Sequence, residues 1–277
     1  MKIDEHTSLY GVVGMPLGHS LSPVMHNAAF RELGLNAVYL AFESTNLEGT
    51  IRGGRAMGIK GLSVTIPYKS RVIPFLDRID PMARKIGAVN TVVLEGGGLV
   101  GYNTDAAGAL KALQEVTALR NKRVVILGAG GAARAIGYIL VENGGRPSII
   151  NRSVKHGEAL ARDLDGVFVP MADVKGFETD ILINATPVGM YPDEDEFPLD
   201  LAETKAEVVM DIVYNPLETR LLRMAKAKGA AAVPGIKMFV FQGAEQFRLW
   251  TGLEAPLEVM ENAVRHALEQ TSPAEGK

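Results

Sequence analysis

The sequence predicts an α/β protein of two domains, the first of them discontinuous in the chain. Three observations lead there. At 277 residues the chain is long for a single hydrophobic core. Apolar runs of strand length alternate with helical stretches in two successive series, the pattern of a parallel sheet covered on both faces. The second series supplies the six strands of a doubly wound sheet, and the helices after Pro234 are surplus to it. Those helices are expected to pack back on the first domain. The expected division is therefore residues 1–104 with 238–277, and 105–237 inserted between them.

Taken in order, strands are expected at roughly 9–13, 38–43 and 59–65, with helices at 22–33 and 47–57 between them. Gly34 is a helix stop. Ser22-Pro23 reads as an N-cap followed by proline in the first turn. "TVVLEGGGLVGYN" reads as a hairpin turning on its glycines, and a helix from about 105 to 117 follows. The second series has strands at "KRVVIL", "PSIIN", "GVFVP", "DILINAT", "AEVVMDI" and "AAVP", with helices near 131–143, 154–163 and 218–228. Helices at about 236–250 and 256–270 close the chain, and the acidic "DEDE" at 193–196 is expected to be a solvated loop.

Composition removes several function classes. Apolar content of 47%, charged content of 22% and a net charge of −3 are those of a folded soluble protein with no electrostatic reason to bind nucleic acid. The most apolar region, "VVILGAGGAARAIGYILV", is glycine-rich and broken by Arg134, so no membrane span is expected. The start of the chain does not read as a signal peptide. No cysteine is present, which suits a cytoplasmic protein and leaves no thiolate chemistry. His6, His19, His26, His156 and His266 show no metal-binding spacing, so no metal is expected.

"VVILGAGGAARA" carries the strongest single motif. Gly128, Gly130 and Ala133 form G-x-G-x-x-A between a strand and a helix, where glycine lets the backbone turn tightly against a pyrophosphate held on the helix N-terminus. This predicts a Rossmann-type dinucleotide-binding domain. An NAD site usually closes its second strand with an acid, whereas this chain has Asn151, Arg152, Ser153 and Lys155 there. A carboxylate would repel a 2′-phosphate and a guanidinium binds one, so NADP is expected.

A second polar set lies in the first domain. Thr65 ends a strand in "SVTIPYKS", Lys69 follows just past Pro67, Asn90 stands in "GAVNTVV" and Asp105 starts a helix in "GYNTDAAG". Singly they read as a β-former, an exposed lysine, a turn residue and an N-cap. Together they fall at strand ends and loops, where α/β folds collect ligands. Ser20 is not explained by capping, and a small carboxylate substrate at the helix start would account for both Ser20 and Ser22.

The stretches "GHSLSPVMHN", "VTIPYK", "GAVNT", "GYNTD", "GAGGAARA", "NRS", "NATPVGM", "DIVYNP" and "GIKMFVFQGAEQFRLWTG" resemble, in order and spacing, the shikimate dehydrogenase family over nearly the whole chain. The resemblance implies reversible NADPH-dependent reduction of 3-dehydroshikimate to shikimate in aromatic amino acid biosynthesis. The alternative is a quinate/shikimate dehydrogenase of broader range. It further implies that Ser20 and Ser22 bind the substrate carboxylate with help from Tyr214. Thr65, Lys69, Asn90, Asp105 and Gln242 would contact the ring hydroxyls, with Lys69 and Asp105 as the catalytic pair. Gly128, Ala129, Gly130, Gly131, Ala132, Asn151, Arg152, Ser153, Lys155, His156, Ile212 and Gly235 match cofactor positions. A homodimer is the further partner considered, and the sequence itself does not decide the oligomeric state. Where the family usually has asparagine before "VT", this chain has Ser63, which weakens any role for that position.

Overall fold

The computed structural model describes residues 3–18, 20–174, 178–199 and 205–271, so His19 lies outside the described residues. It divides into two compact units, Met1–Thr104 with Gln242–Lys277, and Asp105–Phe241. Among the described residues no helix is long and apolar enough to cross a membrane.

The first unit opens with β1 (Ser8–Gly14), α1 (Ser22–Glu32), β2 (Ala37–Glu43), α2 (Leu47–Ala56) and β3 (Gly61–Val64). Local chemistry sets these bounds. Gly34 takes φ +63° just past α1, its N–H donates to the Arg31 carbonyl, and the Leu35 N–H reaches back to Phe30 at 2.9 Å. Asn46 caps α2 by accepting from the Gly49 N–H at 2.9 Å. β4 (Arg78–Ile79) and α3 (Pro81–Ile86) escaped the sequence pattern. A two-residue strand and a helix of under two turns are too short to show a period. Asp80 caps α3 through the Met82 and Ala83 N–H groups.

β5 (Thr91–Glu95) and β6 (Gly98–Tyr102) are the expected hairpin, turning on Gly96 and Gly97 at φ +55° and +82°. The sheet order is β2-β1-β3-β5-β6-β4. β2, β1 and β3 are parallel, but β5 runs antiparallel to both β3 and β6. The sheet is therefore mixed where alternation alone pointed to a parallel one, because so short a hairpin turn can join only antiparallel strands.

The second unit begins with α4 (Thr104–Gln114) after its first residue and continues through β7 (Arg123–Leu127), α5 (Gly131–Glu142), β8 (Arg146–Asn151), α6 (Val154–Asp163) and β9 (Val167–Pro170). β10 (Ile181–Asn184), β11 (Val208–Asp211), α7 (Arg220–Ala227) and β12 (Ala231–Val233) complete the sheet. All six strands are parallel in the order β12-β11-β10-β7-β8-β9, the doubly wound arrangement in which order reverses between β7 and β10. Both faces are buried. Val124 and Ile126 of β7 join one core with Leu113, Ile136 and Leu140, while Val125 and Leu127 join the other with Leu182, Leu221 and Leu222.

The surplus helices are α8 (Gly235–Thr251) and α9 (Leu257–Thr271). Met238 and Phe241, in the first half of α8, belong to the core of the second unit. Phe247 packs on Phe30 and Trp250 on Tyr10, and α9 lies along α1, so the rest returns to the first unit. The chain of the first unit is thus discontinuous. The division between units falls inside α8 at Gln242, whereas the sequence reading puts it at 238.

Candidate active site

In the first unit, Thr65, Lys69 and Asn90 are brought together by backbone bonds at the carboxyl ends of β1 and β3. The Thr65 N–H donates to the Val13 carbonyl (3.0 Å) and the Val64 N–H to that of Asn90 (2.8 Å). The Val89 N–H donates to the Lys69 carbonyl at 2.7 Å, so the turn bearing the lysine and the loop before β5 hold each other. Thr65 and Lys69 are half-buried at this edge. Asn90 is buried, and its Oδ1 accepts from the Thr104 N–H (2.7 Å) and the Thr91 hydroxyl (2.8 Å). Its Nδ2 donates to Thr104 Oγ1 (3.0 Å) and, more weakly, to Gln242 Oε1 (3.5 Å). Gln242, from the returning helix, is therefore part of the same cluster.

Asp105 follows Thr104 directly and is buried. It lies inside the first turn of α4 rather than at its cap, where the helix dipole favours a negative charge.

Ser22 departs from its expected role. α1 begins at Ser22, the cap position is Leu21, and no side chain caps the helix. The Ser22 side chain is buried within the first unit. Ser20 stands just outside the helix, half-buried, with its N–H on the Leu17 carbonyl at 2.9 Å. Ser63 has a definite place: it is buried, 2.6 Å from the Tyr39 hydroxyl and 2.9 Å from Gln246 Oε1. Its hydroxyl thus makes two polar contacts in the core.

In the second unit, the glycine turn has the geometry of a phosphate cradle. Gly128 adopts φ +110°, where a Cβ would stand 3.0 Å from the Ala185 carbonyl oxygen. Gly130 and Gly131 face open space, and no side chain caps α5. The N–H groups of the first turn of α5 are thus available to an anion. At the end of β8, Asn151 Nδ2 donates to the Ser153 carbonyl at 2.9 Å, and Ser153 makes no side-chain cap to α6. Arg152, Lys155 and His156 are exposed, and among the described residues none of the three forms an ion pair with a carboxylate.

Gly235 opens α8 against the loop after β11. A Cβ there would lie 2.6 Å from the Ile212 oxygen and would also strike the Val213 carbonyl. Tyr214 stacks on Phe239 with ring centroids 4.6 Å apart, and burial raises its pKa.

The loop carrying Ile212 and Tyr214 is tied down by Asp211, which the sequence reading missed. Asp211 Oδ1 accepts from Asn184 Nδ2 (2.9 Å) and the Val213 N–H (3.0 Å), and Oδ2 accepts from the Thr219 hydroxyl (2.7 Å). Burial outweighs these three bonds and pushes its pKa from 3.8 up to about 6. A carboxyl raised in the folded state stabilises fully below its unfolded pKa, and that contribution is lost as pH rises through about 6. The unfolding free energy of the native chain minus that of Asp211→Asn should fall by about 2–3 kcal/mol between pH 4 and pH 6 and then level off. Denaturant titrations of both proteins across that window check this, and a pH-independent difference would contradict it.

A dinucleotide turn followed by basic residues, on a chain whose other unit gathers a lysine with hydroxyls and amides, is the frame of a nicotinamide-dependent dehydrogenase. Known proteins narrow this further. Residues 12–92 match the shikimate dehydrogenase substrate binding domain, 110–212 the shikimate / quinate 5-dehydrogenase profile and 235–265 the shikimate 5′-dehydrogenase C-terminal domain. The shikimate dehydrogenase (NADP+) of Methanopyrus kandleri is 49% identical, the match covering 95% of this chain and 97% of that one. A solved shikimate dehydrogenase in complex with NADP+ superposes with a TM-score of 0.92 at 45% identity, covering 96% of this chain and 98% of the other. The Thermus thermophilus enzyme in complex with NADP(H) and shikimate gives a TM-score of 0.88 at 39% identity, covering 94% and 100%. The chain belongs to the shikimate dehydrogenase family.

Proposed function

We propose that this protein catalyses the reversible NADPH-dependent reduction of 3-dehydroshikimate to shikimate, a step in aromatic amino acid biosynthesis. The observation that carries this reading is likeness across both units at once, up to a relative solved with NADP(H) and shikimate together. The cofactor fits the second unit on its own geometry: the cradle at Gly128–Ala132 is open, the α5 N-terminus is uncapped, and basic groups stand where an acid would exclude a 2′-phosphate.

Each site residue then has a task. Ser20 and Ser22 hold the substrate carboxylate with Tyr214, while Thr65, Asn90, Asp105 and Gln242 hold ring hydroxyls. Gly128, Ala129, Gly130, Gly131 and Ala132 offer backbone N–H groups to the pyrophosphate. Asn151, Arg152, Ser153, Lys155 and His156 hold the adenosine ribose and its phosphate, and Ile212 and Gly235 contact the cofactor. When bound, NADPH supplies the hydride that reduces the ketone carbon. Lys69, as an ammonium, gives its proton to the alkoxide that develops there and recovers one from the hydroxyl in the reverse direction. Asp105 takes a neighbouring ring hydroxyl.

Absorbance at the reduced-nicotinamide band tests the reading directly, with shikimate against quinate and NADP against NAD. Turnover of shikimate with NADP is expected to exceed the other three combinations. Comparable turnover of quinate would favour the broader dehydrogenase, and no turnover of either acid would refute the assignment.

A further inference from the structure

Thr91 and Thr104 both touch the Asn90 side chain, and all three residues are buried in the first unit. The direction of the hydrogen bonds among them follows from two fixed points. The Thr104 backbone N–H can only donate, and it lies 2.7 Å from one end of the Asn90 carboxamide, so that end is Oδ1. The Asn90 backbone carbonyl can only accept, and it lies 3.2 Å from one end of the Gln246 amide, so that end is Nε2. Ser63 holds the other end of that amide by donating to Oε1 at 2.9 Å.

Thr91 stands between the two amides. Its hydroxyl meets an oxygen that only accepts, Asn90 Oδ1 at 2.8 Å, and a nitrogen that only donates, Gln246 Nε2 at 3.0 Å. It therefore gives its single proton to Asn90 and takes one from Gln246. Asn90 Oδ1 thus has both lone pairs filled from within the protein, by the Thr104 N–H and the Thr91 hydroxyl. On the other end, Nδ2 donates to Thr104 Oγ1 at 3.0 Å and reaches Gln242 Oε1 more loosely, at 3.5 Å. The two threonine hydroxyls brace each other at 3.1 Å. Turning the Asn90 carboxamide over would set its nitrogen against the Thr104 N–H, donor against donor.

We propose that Thr91 and Thr104 are positioning residues for substrate binding, which hold the Asn90 carboxamide, oxygen inward, in the orientation that shikimate meets. This rests on the reading of Asn90 as a ring-hydroxyl ligand. The last torsion of an asparagine side chain is soft and nearly two-fold, so a free carboxamide presents its oxygen or its nitrogen with little preference. A ligand that must first order such a group loses affinity to that ordering. Here the oxygen is saturated and the amide is clamped from both ends before any ligand arrives. The long contact with Gln242 is the one that can give way to a ring hydroxyl.

Thr91→Val keeps the shape of the side chain and removes the hydroxyl. The dissociation constant of shikimate, read by calorimetry, is expected to rise by about two- to tenfold, the range set by one neutral hydrogen bond. Thr91→Ser should return it to the native value. A residue that acts through Asn90 has nothing to act on once Asn90 is alanine, so Thr91→Val added to Asn90→Ala should change the constant no further. Thr104→Val, which leaves its backbone N–H in place, carries the same cycle on its own and decides the matter if Thr91→Val does not fold. Unchanged shikimate binding in the valine variant, no recovery with serine, or the same loss with and without the Asn90 side chain overturns the proposal. Asn90→Ala alone separates the premise: it should weaken shikimate binding, and if it does not, the ring-hydroxyl reading fails and the positioning role with it.

Discussion

Lys69→Ala is expected to lower kcat by about 10²- to 10⁴-fold, the usual contribution of a positioned proton donor, with a smaller change in KM for shikimate. The reasoning starts from the turn that carries the lysine. Its carbonyl is fixed by the Val89 N–H and its neighbour Tyr68 is buried with its N–H on the Thr65 carbonyl, so the side chain projects from a backbone held at two points. Alanine leaves both bonds in place. What is lost is the ammonium at the alkoxide that hydride addition creates. The charge on that oxygen is far larger in the transition state than in the ground-state ketone, so the loss falls on kcat. Steady-state rates in both directions measure it. Unchanged turnover would remove Lys69 from the chemistry and leave it a surface residue.

Arg152→Ala is expected to reduce kcat/KM for NADPH by about 10- to 150-fold while leaving NADH nearly untouched, the span of a charge-assisted bond worth about 1.5–3 kcal/mol. Arg152 follows the last residue of β8 and is exposed, and among the described residues it pairs with no carboxylate, so truncation disturbs little else. The selectivity is the informative part. A guanidinium that meets the 2′-phosphate is irrelevant to a cofactor without one, whereas a residue that merely shapes the loop affects both. An equal loss for NADPH and NADH would count against the phosphate reading and shift attention to Lys155 and His156.

Much of the frame was legible in the sequence because local rules wrote it. Gly34, the Gly96-Gly97 turn and Gly128 each take a positive φ where the sequence asks for a break or a tight turn. The apolar runs of β7, β8, β10 and β11 read as strands buried on both sides and are so. Ser22 was misread as a cap because serine before proline is the usual capping pattern, whereas the helix already begins at Ser22 and the cap position falls on Leu21. Gln246 and Ser63 meet across 183 positions of chain, a pairing that no local rule encodes. A weak signal for Gln246 did exist, since it stands one helical turn after Gln242 on the same face of α8. Asn184 and Asp211 were visible too, as polar residues closing two apolar strands, but their mutual bond needs β10 beside β11.

Gly235 carries a lesson for anyone redesigning coenzyme preference. With the peptide of Ile212 and Val213 pressed against it, this position is closed to every larger residue, and a randomised library that includes it would fill with misfolded clones. The exposed run from Arg152 to His156, apart from the half-buried Ser153, has no such tenant and can be rewritten residue by residue. The rim of the second unit is therefore open to substitution, while the ground beneath it must be left alone.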